Sequence, residues 1–335
     1  MAGGPSTPAL AAAISGAGEI GFLGCAYSSP EQILESGREV RARTDRPFGV
    51  NLFADPSEVP AADPRPMLEL LRPIHAELGI PPPERPGPTT SSLDAQVEAA
   101  IQSGAAAFSV IFGLTSPAQL QRLKQAGLVC IGTANTVEEA RRVESAGYDA
   151  VIAQGGEAGG HRGIFLGILE RALVGTLALV PQVADAVRIP VIAAGGIMDG
   201  RGWVAAEALG AAGVQMGTAF LASDECGAIP AYKEAVLQAT DDGTAITRGF
   251  SGRPARGLVN RFLAEMEAHP EAILPYPVQN AMTRPMRTAA SRAGRAELLS
   301  LSAGQAARLA RRGPAADIVR WLVEDAVRVR AALAT

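Results

Sequence analysis

The sequence predicts a parallel β/α barrel of the TIM type, (β/α)8, with a smaller and mostly helical cap domain. Short, fully apolar runs alternate with amphipathic helical stretches over the first two thirds of the 335-residue chain. Such continuous apolar runs are typical of strands buried on both faces, as in a parallel sheet. A β-α alternation with short links implies right-handed crossovers that cover the sheet with helices.

Seven apolar runs are predicted to form the strands of this sheet. They span residues 20–24, 48–53, 106–112, 128–132, 149–154, 189–194 and 213–216. Eight strands would close a barrel, so one strand is missing from the predicted set. Because the chain opens with MAGGPSTPAL and then a helix, we expect the missing strand to precede Met1, ahead of a start assigned too late. The alternative is a barrel open at one seam, which would leave two unpaired edges of a kind that proteins usually avoid.

Helices are predicted between these strands from the residues that typically begin and end a helix. Segments 117–126, 136–146 and 199–209 each begin at a residue that favours a helix start, and each stops before a glycine. Near the end of the chain, residues 315–333 carry an apolar stripe that predicts the final barrel helix. The predicted stripe consists of Ile318, Val319, Leu322, Val323 and Val327.

Two segments interrupt the alternation of strand and helix. Residues 55–92 are rich in proline, contain one helical piece over 64–78, and are expected to fold over a mouth or a side of the barrel. From Ser223 to about Arg308 the alternation stops, and the pattern favours a mostly helical cap. The predicted domains are therefore a barrel over residues 1–222, a substrate-side cap over 223–309 and a final barrel helix over 310–335.

Composition excludes several classes of protein. A net charge of −4 gives no electrostatic reason to expect a nucleic acid or an anionic membrane as a partner. The three cysteines match no metal template and are too sparse for a disulfide framework, which favours a reducing compartment. The sequence has no apolar run of about 18 residues and no signal-peptide pattern. We expect a cytoplasmic monomer or homodimer without a bound metal.

The loops after the last two predicted strands carry the signature of a phosphate site. Gly195 and Gly196 follow one strand, and the run Gln215, Met216, Gly217 and Thr218 ends the other. Glycines let backbone amides approach an anion closely, and parallel barrels often bind phosphate at this position. The alternative is that these glycines only make tight turns.

A second glycine-rich loop, AQGGEAGGHRG over residues 153–163, contains the candidate catalytic residue. Gln154 ends a strand, where its amide could contact a planar heterocycle, and Gly159 and Gly160 would let backbone lie against that ring. His161 projects from the loop, in a suitable place for a catalytic base. The alternative for His161 is a solvent-facing loop histidine.

Other polar residues are weaker candidates. Asn51, in PFGVNLF, lies at the end of a predicted strand and either contacts the same heterocycle or starts a turn. Glu157 is a rival base, unless its carboxylate only ties down the loop. His75 and His269 are interpreted as surface residues.

The chain resembles the nitronate monooxygenase family, formerly called 2-nitropropane dioxygenases. The resemblance runs over nearly the whole chain, and the motifs that carry it are STPALAAAISGAG, RPFGVNLF, AQGGEAGGHRG, IPVIAAGGIMDGRG, VQMGTAFLASDE, SGRPARGLVNRF, PYPVQNAMT and SAGQAARL. The central three also occur in related flavin-dependent enoyl and quinone reductases, and the later ones favour nitronate oxidation.

The resemblance implies FMN-dependent oxidation of alkyl nitronates, and sometimes nitroalkanes, by O2 to a carbonyl compound and nitrite, without NAD(P)H. It also implies that His161 is the catalytic histidine. The residues that it implies for FMN are Asn51, Gln154, Gly159, Gly196, Gln215, Met216, Gly217 and Thr218.

The chain departs from the family pattern at three places. The first strand, which ends in Pro-Met in the family, is missing, and Met1 takes the place of that methionine. Ile111 stands where some bacterial members have histidine, and residues 164–174 are more apolar than expected. The last two differences suggest an altered substrate pocket.

Three other functions remain open at this point. One is an NAD(P)H-dependent flavin reductase of enoyl thioesters or quinones, and another is a non-catalytic flavin-binding protein. The phosphate loops alone are also compatible with a barrel lyase or isomerase that acts on a sugar phosphate.

Overall fold

The computed structural model describes residues 1–54, 62–85 and 92–334. Seven parallel strands form a curled, half-barrel sheet. In their order across the sheet, these strands are β1 (Gly21–Gly24), β2 (Phe48–Phe53), β3 (Ala107–Ile111), β4 (Val129–Ala134), β5 (Ala150–Gln154), β7 (Val191–Ala194) and β8 (Gly213–Gln215). Every predicted strand is therefore confirmed, with ends that differ by at most two residues.

Helices connect the strands and pack against the sheet. They are α1 (Pro8–Gly16), α2 (Pro30–Arg41), α3 (Arg65–Glu77), α4 (Leu93–Gln102), α5 (Pro117–Gln125), α6 (Val137–Ser145), α7 (Thr176–Ala186), α8 (Gly200–Ala208), α9 (Pro230–Leu237), α10 (Arg261–Glu267), α11 (Val278–Arg292) and α12 (Ala315–Leu333). The predicted helix starts are confirmed by their caps, because Thr136 accepts a hydrogen bond from the Glu139 amide and Asp199 accepts from the Arg201 and Gly202 amides.

Strands β1 and β8 form the two ends of the parallel sheet, and no strand lies between them in the part of the chain that the structure describes. The first residues lie across this gap at the carboxyl ends of both strands. A Cβ built on Gly24 would meet the Ala2 amide at 2.6 Å, and one built on Gly217 would lie 3.6 Å from the Met1 sulfur. A strand ahead of Met1 stays a prediction.

A second, antiparallel sheet was not expected from the sequence. It joins β6 (Gly160–His161) to β10 (Ala255–Leu258) and β10 to β9 (Thr244–Thr247). Residues 223–308 contain α9, α10 and α11 but also β9 and β10, and this sheet connects them to the loop that carries His161. A mostly helical cap domain stays a prediction. A separate hydrophobic cluster forms around α3 and the helices from α9 to α12.

Two predictions about individual side chains are wrong. His75 is buried rather than on the surface, because α3 packs into the second cluster and the ring Nδ1 lies 2.6 Å from the Pro81 carbonyl oxygen. On α12, Val323 and Val327 are exposed, whereas Ile318, Val319 and Leu322 are buried as predicted. His269 lies at the surface as expected.

The expectation for the proline-rich segment can be followed only in part. Its predicted helix is α3, whereas residues 55–61 and 86–91 lie outside the described residues. Among the helices that the structure does describe, none is both long and apolar enough to cross a membrane. All three cysteines are buried free thiols.

Candidate active site

The site lies where the parallel strands end, and Gln154 at the end of β5 holds together the loop that carries His161. The Gln154 Nε2 donates to the His161 carbonyl oxygen at 3.0 Å. Its Oε1 accepts from Asn135 Nδ2 at 2.7 Å and from the Gly163 amide at 2.9 Å. Because these bonds use Oε1 and one hydrogen of Nε2, the second Nε2 hydrogen is the group of Gln154 that is available for the predicted contact with a heterocycle.

A buried arginine supports the same loop. Arg162 is only 1% exposed, and its guanidinium donates to the carbonyl oxygens of Gly155, Gln154 and Ala172 at 2.6, 2.9 and 3.3 Å. Burial lowers the pKa of Arg162 to about 10, so the side chain remains charged at neutral pH. Its three carbonyl acceptors fix the backbone on both sides of His161.

Glu157 ties down the loop, which was one of its two predicted roles. Its carboxylate accepts from the Thr176 amide at 2.8 and 2.9 Å and from the Thr176 hydroxyl at 2.8 Å. Thr176 begins α7, so the negative charge also lies at a helix N-terminus. A carboxylate bound in this way is poorly placed to act as a base.

His161 lies in an aromatic and largely apolar environment. Its Nε2 is 2.8 Å from Ser251 Oγ, and its ring packs edge-on against Phe53 and Phe112 with centroids 5.8 and 5.4 Å away. Burial, with smaller contributions from the nearby charges of Arg253 and Arg287, lowers the pKa of His161 to about 4. The imidazole is therefore neutral at physiological pH, as a general base must be.

Phe112 adopts an unusual backbone conformation beside His161. Its φ is 75°, and it is the only non-glycine residue with a positive φ among the described residues. A positive φ is strained for a bulky side chain, and residues with such strain cluster at functional sites. The Phe112 ring lies beside Tyr276, at 6.1 Å between centroids, and the Arg253 guanidinium stacks on it at 4.2 Å.

The loops after β7 and β8, here called the cradle, lie side by side where the sequence predicts a phosphate site. Ala194 pairs with Gln215, so both loops leave the same edge of the sheet side by side. Gly195 and Gly196 have φ values of 117° and 72°. Across residues 1–54, 62–85 and 92–334, no hydrogen-bond partner is found for the amides of Gly196, Gly217 or Thr218. Free amides next to glycines are what an anion-binding loop requires.

The other predicted cofactor residues occupy distinct places around this edge. Asn51 lies in β2, two residues before its end, and its Nδ2 donates to Ser109 Oγ at 2.9 Å. Gly159 packs against the backbone of Ala303 and Gly304, where a Cβ would approach the Gly304 amide to 2.4 Å. Gly160 has a φ of 77° and leads directly into His161. Gln215 is exposed, whereas Met216 is half-buried and packs against both hydrophobic clusters.

Ser251, Phe112 and Arg287 lie at this site although sequence reasoning assigned them no role. Ser251 belongs to SGRPARGLVNRF, a motif of the family resemblance, but its contact with His161 joins residues 90 positions apart. The Phe112-Gly113 pair after β3 is a turn signal that could have marked the strained backbone. Ile111, which stands where some members of the family have histidine, contacts the loop that carries His161. A Cβ built on Gly163 in that loop would lie 2.8 Å from Ile111 Cγ1.

The chain is similar to known proteins over almost its whole length. Residues 1–325 match the sequence profile of the nitronate monooxygenase family. The chain is 41% identical over 324 residues to a probable nitronate monooxygenase of Staphylococcus aureus, covering 96% of this chain and 91% of that protein. Among solved structures, nitroalkane oxidase from Streptomyces ansochromogenes is similar with a TM-score of 0.91 and 41% identity, covering 99% of this chain and 95% of that one. FabK from Thermotoga maritima is similar with a TM-score of 0.77 and 32% identity, covering 99% and 92%.

Proposed function

Since the chain belongs to the nitronate monooxygenase family and is a flavin-dependent enzyme of that activity, we propose that its flavin is FMN and that His161 is its catalytic residue. The reaction converts an alkyl nitronate and O2 into a carbonyl compound and nitrite. The observation that carries the proposal is the phosphate cradle on the strands next to the loop of His161.

The cradle supports FMN rather than an unphosphorylated flavin. The amides of Gly196, Gly217 and Thr218 would bind the phosphate, and Asn51, Gln154 and Met216 would line the ring together with Gly159 and Gly160. Bound FMN would supply the electron acceptor for the nitronate. The protein would supply binding, orientation and a low-dielectric chamber.

Ser251 is the hydrogen-bond partner that orients the imidazole of His161. Its hydroxyl can donate to the Arg253 carbonyl oxygen at 3.1 Å or to His161 Nε2 at 2.8 Å, and the Arg253 amide donates to Oγ at 3.2 Å. We propose the tautomer in which the hydroxyl donates to the carbonyl oxygen and Oγ accepts from Nε2–H of His161, so that the lone pair lies on Nδ1. We infer that Nδ1 removes the α-proton when the substrate is a neutral nitroalkane.

The aromatic rings around His161 would exclude water from this proton transfer. Phe53 and Phe112 contact the imidazole, and Tyr27 continues the wall from Phe53 at 5.5 Å between centroids. Exclusion of water strengthens the interaction between the substrate anion and nearby donors.

An anaerobic spectrum of the FMN-loaded protein tests the proposal. Ethyl nitronate should reduce the flavin and bleach its absorbance in a single anaerobic reaction on mixing, and NADH or NADPH should not. Rapid bleaching by NADH together with inertness toward ethyl nitronate would instead identify an NAD(P)H-dependent reductase. A flavin that no donor reduces would identify a non-catalytic binder.

Replacement of the histidine tests its role separately. His161→Asn should retain FMN but lose about 10²- to 10⁴-fold in kcat/KM with nitroethane, the scale of a positioned general base. His269→Asn is the matched control, because His269 is at the surface. Undiminished turnover of nitroethane by His161→Asn would remove His161 from the role of base.

A further inference from the structure

Arg287 on α11 has a guanidinium group that is held in place by neutral acceptors. Its Nε donates to Thr283 Oγ1 at 3.2 Å. Its Nη2 donates to both the carbonyl oxygen and Oδ1 of Asn280, each at 2.8 Å. Three of its five donors are thereby fixed to its own helix, and Thr283 is in turn anchored to the Phe250 carbonyl oxygen at 2.6 Å.

The remaining nitrogen, Nη1, has both hydrogens available. No hydrogen bond from Nη1 and no salt bridge of Arg287 is found among residues 1–54, 62–85 and 92–334. Burial lowers the pKa of Arg287, yet a guanidinium keeps its charge at neutral pH. A half-buried cation whose partners are all neutral gains from an anion that completes its environment.

Arg287 lies beside the candidate active site. Thr283, which accepts from Arg287 Nε, donates to the Phe250 carbonyl oxygen, and the next residue, Ser251, lies 2.8 Å from His161 Nε2. The charge of Arg287 also contributes to the lowered pKa of His161 and acts on the pKa of Tyr27. The Tyr27 and His161 rings both pack edge-on against Phe53, at 5.5 and 5.8 Å. The guanidinium thus borders the same aromatic chamber as the imidazole.

We propose that Arg287 is the subsite for the negatively charged oxygens of the nitronate, which Nη1 binds in the chamber beside His161. This inference rests on the proposed function and names a binding residue for it. A nitronate is planar with two oxygens that share its charge, so it presents to a guanidinium the same geometry as a carboxylate. A neutral nitroalkane carries no net charge and gains much less from the same contact.

The difference between the two substrates gives the test. Arg287→Gln should raise KM for ethyl nitronate about 10- to 100-fold, the range of a lost hydrogen bond to a charged group. KM for nitroethane should change less than about 3-fold by the same reasoning. Arg287→Lys retains the charge and should recover part of the loss. Arg292→Gln, on the same helix but exposed, removes an equal charge and should leave both values unchanged.

Binding of a non-reacting anion gives a second readout. Nitrate, followed by its effect on the visible spectrum of the bound flavin, should bind the wild-type protein and Arg292→Gln equally and Arg287→Gln at least about 10-fold more weakly. Equal nitrate affinity and equal KM for ethyl nitronate in Arg287→Gln would overturn the inference. So would a defect confined to FMN affinity, because the charge would then act on the cofactor. Absence of nitronate oxidation in the wild-type protein would instead refute the proposed function.

Discussion

The low pKa of His161 should appear as a pH-dependent contribution to folding stability. The folded pKa is about 4 and the ordinary value is 6.5, so the folded protein binds fewer protons than the unfolded chain between these values. Stability from this residue is therefore complete above about pH 6.5 and is lost as pH falls toward 4. At about 1.4 kcal/mol for each pKa unit, the difference corresponds to about 3 kcal/mol in full and about 2 kcal/mol at pH 4.5.

Urea unfolding of the flavin-free protein at pH 7.0 and pH 4.5 measures this contribution. Flavin is left out because a bound ligand adds its own stabilisation by mass action. Between the two pH values the wild-type protein should lose about 2 kcal/mol more than His161→Asn does. His269→Asn, which alters a surface histidine, should follow the wild type. Parallel losses in the wild type and His161→Asn would refute the half-buried, neutral imidazole on which its role as a base depends.

Three further predictions follow from the site. Gly196→Ala, at a φ of 72°, should lower FMN affinity at least about 10-fold by straining and filling the cradle, whereas Gly79→Ala, at a φ of 64° in open solvent, should not change FMN affinity in a fluorescence titration. Ser251→Ala should slow anaerobic flavin reduction by nitroethane about 10-fold and that by ethyl nitronate much less, because only nitroethane needs a correctly oriented base; equal slowing in stopped-flow traces would contradict this. Arg162→Met should lower the free energy of unfolding by about 3 kcal/mol, since three buried carbonyls lose their donor, and urea curves that match the wild type would exclude this role.

The parallel sheet was predictable because its signal is local. Each strand is a short apolar run between a glycine or a helix cap and the next loop, as β5 before the glycine-rich loop illustrates. The predicted end of the chain also agrees, since α12 covers residues 315–333. The exposure of Val323 and Val327 could not be read from the helical stripe, because it depends on which helices pack against α12.

The site was predictable only where a single loop defines it. The neighbourhood of His161 with its glycines is contiguous in sequence, as is each of the two loops of the cradle, at Gly196 and at Gly217. The contact with Ser251 is not, because an antiparallel pairing of β6 with β10 creates it and two residues of β6 give no periodic signal. The burial of His75 was missed for a similar reason, since the cluster around α3 is built from segments far apart in the chain.

The affinity of the flavin-free protein for FMN compared with riboflavin tests the central claim most directly. The two ligands share the ring and differ by the phosphate that the amides of Gly196, Gly217 and Thr218 are proposed to bind. The account predicts that FMN binds at least about 100-fold more tightly than riboflavin in the same fluorescence titration, as several charge-assisted hydrogen bonds require. Equal affinities, or a folded protein that takes up neither ligand, would contradict it.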